Sequence, residues 1–222
     1  MGGKQFVRPH QVSGLHIDHS AIVDLYCSTR PFLSMVEKKW IAFQILNALR
    51  DARNRKVSHG DIKSENVLVT SWNWIYITDF ASYKPTYLPL DDPSDFSFFF
   101  DMSGRRSCYI APERFYTHAT NPEISEKKSK IDELGGKRDG KVTEAMDVFS
   151  AGCVIAEMFL EVTLFTLSQL FKYREGEYKI DGTLAVIEDK DVQVRNFLLS
   201  LSANCSNCIA EPYQADDQRG SV

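Results

Sequence analysis

Asp61, Lys63 and Asn66 sit within six residues of each other in His59-Gly60-Asp61-Ile62-Lys63-Ser64-Glu65-Asn66, and Asp79 follows in Asp79-Phe80-Ala81. Each side chain could take one part in phosphoryl transfer. A carboxylate can receive the proton of an attacking hydroxyl, an ammonium can neutralise phosphate charge, and an Asn and an Asp can share Mg²⁺, a hard cation that prefers oxygen ligands. Such chemistry asks mainly for positioning and charge neutralisation, so spacing matters as much as residue type. Asp61 and Asp79 are eighteen residues apart. That interval fits a loop followed by a two-strand hairpin, which returns its ends to one place. Asp-x-Lys alone, or Asp-Phe alone, carries no meaning; the ordered set does.

The elements that must position this set are legible around it. Trp40, Ile41, Phe43, Ile45, Leu46, Ala48, Leu49 and Ala52 recur at helical spacing, which predicts a helix from Val36 to about Asn54 after Pro31. Its wide apolar band predicts deep burial. Asn66–Val69 and Trp74–Thr78 read as strands joined at Ser71-Trp72-Asn73. Residues 81–110 read as one long loop with a cluster of Phe96, Phe98, Phe99 and Phe100. Met146–Leu160 predicts a central buried helix, with Asp147 near its start accepting backbone hydrogen bonds. Leu167–Tyr173 and Val192–Leu201 suggest two more helices. Residues 1–20 read as a disordered lead-in, 117–143 as a flexible insertion, and 203–222 as a disordered tail.

The bulk properties narrow the class. The chain has 222 residues, a hydrophobic fraction of 43% and a charged fraction of 25%, ordinary values for a globular protein. A net charge of -4 gives no polyanion-binding signal and argues against a nucleic-acid partner. No apolar run approaches the roughly 20 residues that span a bilayer. Five scattered cysteines suit a reducing compartment, and the lone Cys205-x-x-Cys208 lacks a second pair for zinc. Gly2 follows Met1, but Phe6 stands where an N-myristoylation signal carries Ser or Thr.

Ala111-Pro112-Glu113, following the two motifs in order, makes the pattern resemble the C-terminal lobe of a protein kinase. The resemblance is closest to the regulatory protein-kinase subunits of class III phosphatidylinositol 3-kinase complexes. It rests on Ser28-Thr29-Arg30-Pro31-Phe32-Leu33, Lys39-Trp40-Ile41-Ala42-Phe43-Gln44, Val69-Thr70-Ser71-Trp72-Asn73-Trp74, Lys84-Pro85-Thr86-Tyr87-Leu88-Pro89, Cys108-Tyr109-Ile110-Ala111-Pro112-Glu113-Arg114-Phe115 and Met146-Asp147-Val148-Phe149-Ser150-Ala151-Gly152-Cys153. Gly60 in place of Arg and Ala81 in place of Gly are marks of that family.

The resemblance implies a mainly helical kinase-like lobe over residues 21–202, with a small β-hairpin at the active site. It implies Asp61 and Lys63 as catalytic residues, and Asn66 and Asp79 as the ligands of Mg²⁺ and ATP. Glu113 would close the activation segment. Serine/threonine kinase activity would follow, within a complex holding the lipid-kinase catalytic subunit and a Beclin-type subunit. That complex would be cytoplasmic, peripheral on late endosomes and autophagosomes. No Gly-rich loop or Val-Ala-x-Lys strand precedes Asp61, so the ATP-covering lobe is expected to be missing and ATP binding weak. The alternatives are a non-catalytic interaction module and a fragment that does not bind ATP.

Overall fold

The computed structural model describes residues 19–22, 33–81, 83–117, 122, 140–187, 194–196 and 198–199. The first helix, α1 (Met35–Asn54), starts where Ser34 and Glu37 cap each other. The Glu37 N–H donates to Ser34 Oγ at 3.3 Å, and the Ser34 N–H donates to Glu37 Oε2 at 2.8 Å. This reciprocal bonding satisfies two N–H groups that have no partner inside a helix. One face of α1 buries Ile41 and Ile45 against the core. The expected deep burial of the whole band is not found: Trp40 is 39% exposed and Phe43 55%. Periodicity reports where apolar residues stand, not how many of those sides are covered.

The strands β2 (Val67–Thr70) and β3 (Ile75–Ile77) pair antiparallel, with Val67 opposite Ile77. β1 (His19–Ala21) joins the other edge of β2, His19 opposite Thr70, and makes a three-stranded sheet of order β1-β2-β3. This corrects the reading of residues 1–20 as a loop or disordered lead-in at His19 and Ser20; the rest of that reading lies outside the described residues. Three residues are too short for a periodic signal, and the strand exists by pairing with β2. The free edge of β3 is partly closed by Gln44 of α1, whose side chain bonds the Ile75 N–H and the Asn73 carbonyl.

Beyond the hairpin, β4 (Leu88–Pro89) pairs parallel with β5 (Phe115–Tyr116). Between them lies a short helix, α2 (Ser94–Phe99), inside the stretch expected to be loop throughout. The largest helix, α3 (Glu144–Leu160), starts at a Thr143 cap and ends at Glu161 in the left-handed region, φ 60. Phe149 to Met158 are buried without interruption, as in a helix enclosed on all sides. Lys38 at the start of α1 pairs with Glu161 at 2.8 Å and ties the two helices together. α4 (Leu167–Arg174) and α5 (Asp181–Leu184) close the far side through Leu170 and Leu184, both fully buried.

Among the described residues the protein is therefore mainly helical, with a small antiparallel sheet and one parallel strand pair. Most of the 117–143 insertion, the 203–222 tail and much of the expected Val192–Leu201 helix lie outside the described residues, as do Cys205 and Cys208.

Candidate active site

Residues 58–66 connect α1 to β2, and two devices hold them. From one side, Asp147 on α3 accepts from the His59 N–H at 2.7 Å and from the Gly60 N–H at 2.8 Å. The expectation that Asp147 serves backbone donors holds, but they belong to this distant loop. The cap of α3 itself is made by Thr143. From the other side, the strand end after β3 is strapped to the loop. Thr78 N–H donates to the Asn66 carbonyl at 2.9 Å, and Ala81 N–H to the His59 carbonyl at 2.9 Å.

His59 is the rivet between these parts. Its ring Nε2 lies 2.8 Å from the Thr78 carbonyl and must donate there, so Nδ1 is free to accept the Asp61 N–H at 3.2 Å. Both bonds suit one neutral tautomer. Burial pushes the imidazole below its ordinary pKa, against opposing effects of the Thr78 carbonyl and of Asp147, Asp61 and Asp79. Gly60 has φ 82, a conformation glycine adopts readily, and a Cβ there would lie 3.3 Å from the Val142 side chain. The backbone therefore has its own reason for glycine at this place.

The hairpin brings Asp79 back to the loop, as the spacing predicts. Asp79 is exposed, with φ 61, while Asp61 is buried at 4% exposure. Asn66 Nδ2 donates to the Asp61 carbonyl at 2.9 Å and to Asp61 Oδ2 at 3.2 Å. Lys63 Nζ stands 3.9 Å from the same Oδ2 and donates to the Phe100 carbonyl at 3.5 Å. Asp61, Lys63 and Asn66 thus form one cluster. Burial raises the Asp61 pKa, and Lys63, Lys84 and His59 oppose that shift.

Three residues here were not singled out from the sequence as parts of the site. Lys84 Nζ bonds Asp61 Oδ2 at 2.6 Å, with both side chains about 5% exposed or less. Arg114 is 1% exposed and donates to the carbonyls of Thr86 (2.7 Å), Gly60 (2.8 Å) and Pro85 (2.9 Å). Phe100 lies between them, its ring centroid 5.0 Å from Lys84 Nζ and 5.0 Å from Arg114 Cζ. Of the phenylalanine cluster, Phe96 and Phe100 are buried, whereas Phe98 is 72% exposed. No local pattern distinguishes a lysine or arginine that will be buried against a carboxylate or carbonyls far along the chain.

Ser64 is fixed from beneath. It donates to Glu157 of α3, and the Tyr109 hydroxyl donates to the same carboxylate oxygen. Burial, with the Glu157 charge next, drives the Tyr109 phenol well above its ordinary pKa, so it stays a donor. Burial lowers the pKa of Arg174 at the end of α4, against the opposing charges of Glu175 and Glu113.

The donor set fits a hard divalent cation. The Asn66 amide nitrogen is spent on Asp61, which leaves its Oδ1 available as an oxygen donor, and the Asp79 carboxylate is exposed just after Thr78, whose N–H bonds the Asn66 carbonyl. Magnesium commonly takes one or two protein oxygens and completes its shell with water and phosphate. Among the described residues, no group of three His, Cys, Asp or Glu side chains forms an all-protein cage for a metal. No described helix is long and apolar enough to cross a membrane.

Comparison with known proteins agrees with this geometry. The model of the protein kinase domain family matches residues 16–216. The chain is 52% identical over 167 residues to the serine/threonine-protein kinase VPS15 of Arabidopsis thaliana, covering 75% of this chain and 10% of that protein. It is 54% identical over 168 residues to the probable serine/threonine-protein kinase vps15 of Dictyostelium discoideum, covering 75% and 8%. Against VPS15 of Saccharomyces cerevisiae the identity is 48% over 176 residues, covering 78% and 11%. The chain thus spans about a tenth of the length of these relatives. It belongs to the protein kinase domain family, and within that family its similarity runs to kinases of the VPS15 type.

Proposed function

We propose that this chain is the kinase-like part of a regulatory subunit of the class III phosphatidylinositol 3-kinase complex, and that its site is built for phosphoryl transfer to serine or threonine. The supporting observation is that Asn66 bonds Asp61, Lys63 pairs with the same carboxylate at 3.9 Å, and the hairpin end that carries Asp79 is strapped to this loop. Asp61 orients the acceptor hydroxyl and takes its proton, and Lys63 supplies positive charge for the transferring phosphate. Asn66 Oδ1 and Asp79 would hold the cation. Bound Mg-ATP supplies the transferable phosphoryl group.

In this reading the partners are the lipid-kinase catalytic subunit and a Beclin-type subunit, in autophagy and endosomal or vacuolar sorting. Membrane attachment is peripheral and comes with the complex. The test is co-purification of the protein with the lipid kinase, followed by γ-phosphate transfer with wild type and Asp61→Asn. Retention with the lipid kinase and at least a hundredfold loss of transfer are expected. Equal transfer by both proteins would remove Asp61 from the reaction. A second reading, a non-catalytic docking module, draws on the ion pair that Lys84 makes with Asp61.

A further inference from the structure

All three tryptophans of the chain, Trp40, Trp72 and Trp74, belong to α1 and the β2–β3 hairpin, and none serves the candidate site. Trp40 stacks on Phe43 with ring centroids 5.7 Å apart and meets Trp74 edge-on, also at 5.7 Å. Rings from two elements thus make one continuous surface, and it is uncovered. Trp40 is 39% exposed, Phe43 55% and Trp74 57%, while Tyr76, two residues further on, is 54%. Trp72, at the hairpin turn, is 81% exposed. Single exposed apolar side chains need no explanation, but contiguous rings leaving on the order of 500 Å² bare mark an interaction surface.

The backbone beneath the rings is fastened. Gln44 of α1 donates to the Asn73 carbonyl at 2.7 Å and accepts the Ile75 N–H at 3.3 Å. Asn73 Nδ2 donates to Glu37 at 2.9 Å, which ties the turn beside Trp72 to the first turn of α1. The rings are therefore held in place before any partner arrives.

Charge says what the partner is. The whole chain has a net charge of -4, yet residues 35–56 carry six Lys and Arg against two Asp and Glu, and residues 67–78 carry no charged side chain. Lys38 is answered by Glu161 and Arg53 by Glu144, each at 2.8 Å. Lys39, Arg50, Arg55 and Lys56 are exposed. Val36, Trp40, Phe43 and Arg50 follow at intervals of four, three and seven, so an aromatic half and a basic half share one face of the helix. Arg55 and Lys56 lie about 20 Å further along its axis than Trp40.

We propose that this face is a contact for an anionic lipid surface: α1 lies along the bilayer with the tryptophan rings at headgroup depth and its exposed Lys and Arg against acidic headgroups. Indole and phenol rings favour that depth because each joins an apolar body to a polar N–H or O–H. Each basic side chain near an anionic leaflet adds an attraction that salt screens. A protein partner encloses its anchor rings in a pocket, whereas Trp72 stands out at a turn as the most exposed large apolar side chain among the described residues. The inference is independent of the phosphoryl-transfer reading and adds a direct lipid contact to the attachment that comes with the complex.

Intrinsic fluorescence of the full chain reports on this face alone, because no tryptophan lies elsewhere. The protein is made without N-terminal acylation, so that Gly2 contributes nothing. It is mixed with vesicles of phosphatidylcholine, or of phosphatidylcholine and phosphatidylserine in equal parts, and then floated. With the mixed vesicles the emission should shift to the blue and the protein should float. Affinity should fall at least tenfold on phosphatidylcholine alone, and equally at about 1 M salt, where charges are screened beyond about 3 Å. Trp72→Ser and Arg50→Glu should each weaken binding at least threefold with the urea midpoint unchanged. Phe98→Ser, which removes a 72% exposed ring on α2, should leave binding intact.

No flotation with the mixed vesicles overturns the proposal, as does equal binding to both vesicle types. Binding that survives both Trp72→Ser and Arg50→Glu, or that Phe98→Ser weakens as much as they do, overturns it as well. A blue shift that grows with protein concentration in the absence of vesicles assigns the face to a second copy of the chain and overturns the lipid contact.

Discussion

Replacing Asp147 by Ala should damage the candidate site more than any equally remote substitution. The carboxylate is 5% exposed and accepts two backbone N–H groups, from His59 at 2.7 Å and Gly60 at 2.8 Å. A hydrogen bond to a charged acceptor contributes about 1.5–3 kcal/mol, and a buried donor left bare costs about 1–3 kcal/mol. Two such donors with no replacement put the loss at about 3–5 kcal/mol, a large part of the roughly 5–15 kcal/mol that keeps a domain folded. Asp147→Asn retains one acceptor oxygen but turns an NH₂ toward the second donor, so about half that loss is expected. Urea denaturation of the full chain would measure both, with the slope unchanged and the midpoint lowered in the order wild type, Asn, Ala. Hydrogen exchange adds a local reading: the amides of His59 and Gly60 should lose protection before those of α3 in the Asn variant. An Ala variant within about 1 kcal/mol of wild type, with both amides still protected, would refute the claim that Asp147 holds the loop.

Arg114→Met leaves the carbonyls of Gly60, Thr86 and Pro85 without this donor and should cost about 3 kcal/mol in the same assay. Arg114→Lys should recover less than half of it, because an ammonium cannot reproduce the planar fork; full rescue would contradict the geometry. Gly60→Ala should lower stability by about 2 kcal/mol, since φ 82 is unfavourable for a residue with a Cβ and Val142 stands 3.3 Å away. A neutral effect on the urea midpoint would show that the loop has another low-energy conformation. The lowered pKa of His59 means the folded protein prefers the neutral ring. Its contribution is complete above the unfolded value near 6.5 and is lost as pH falls through that value toward the folded one. Stability should therefore decline below about pH 6.5, and His59→Gln should flatten that decline in midpoints measured from pH 7 to 5; an unchanged slope would assign it to another group.

What local sequence can determine is what depends on neighbours a few residues away. The α1 helix and the β2–β3 hairpin that returns Asp79 to the loop of Asp61 were both legible, because helical period and turn residues act over short separations; the cap at Ser34 and Glu37 was not read. The types of residue at 61, 63, 66 and 79 were legible for the same reason. Their electrostatic state was not. Lys84 meets Asp61 across 23 residues, Arg114 meets Gly60 across 54, and Asp147 meets His59 across 88. Each partner is chosen by how α3 and the segment after Asp79 pack around the loop. Strand β1 was missed because three residues carry no period, and α2 because its six residues sit in a stretch rich in turn formers. Trp40 and Phe43 were placed on the right helix but given the wrong degree of burial, since apolar spacing does not say which neighbour arrives. The sequence by itself determined which groups could do chemistry and that a hairpin would gather them. Only the tertiary structure decided that a lysine from the following segment would bond the central carboxylate, because burial and ion pairing between distant residues are set by packing that no local pattern encodes.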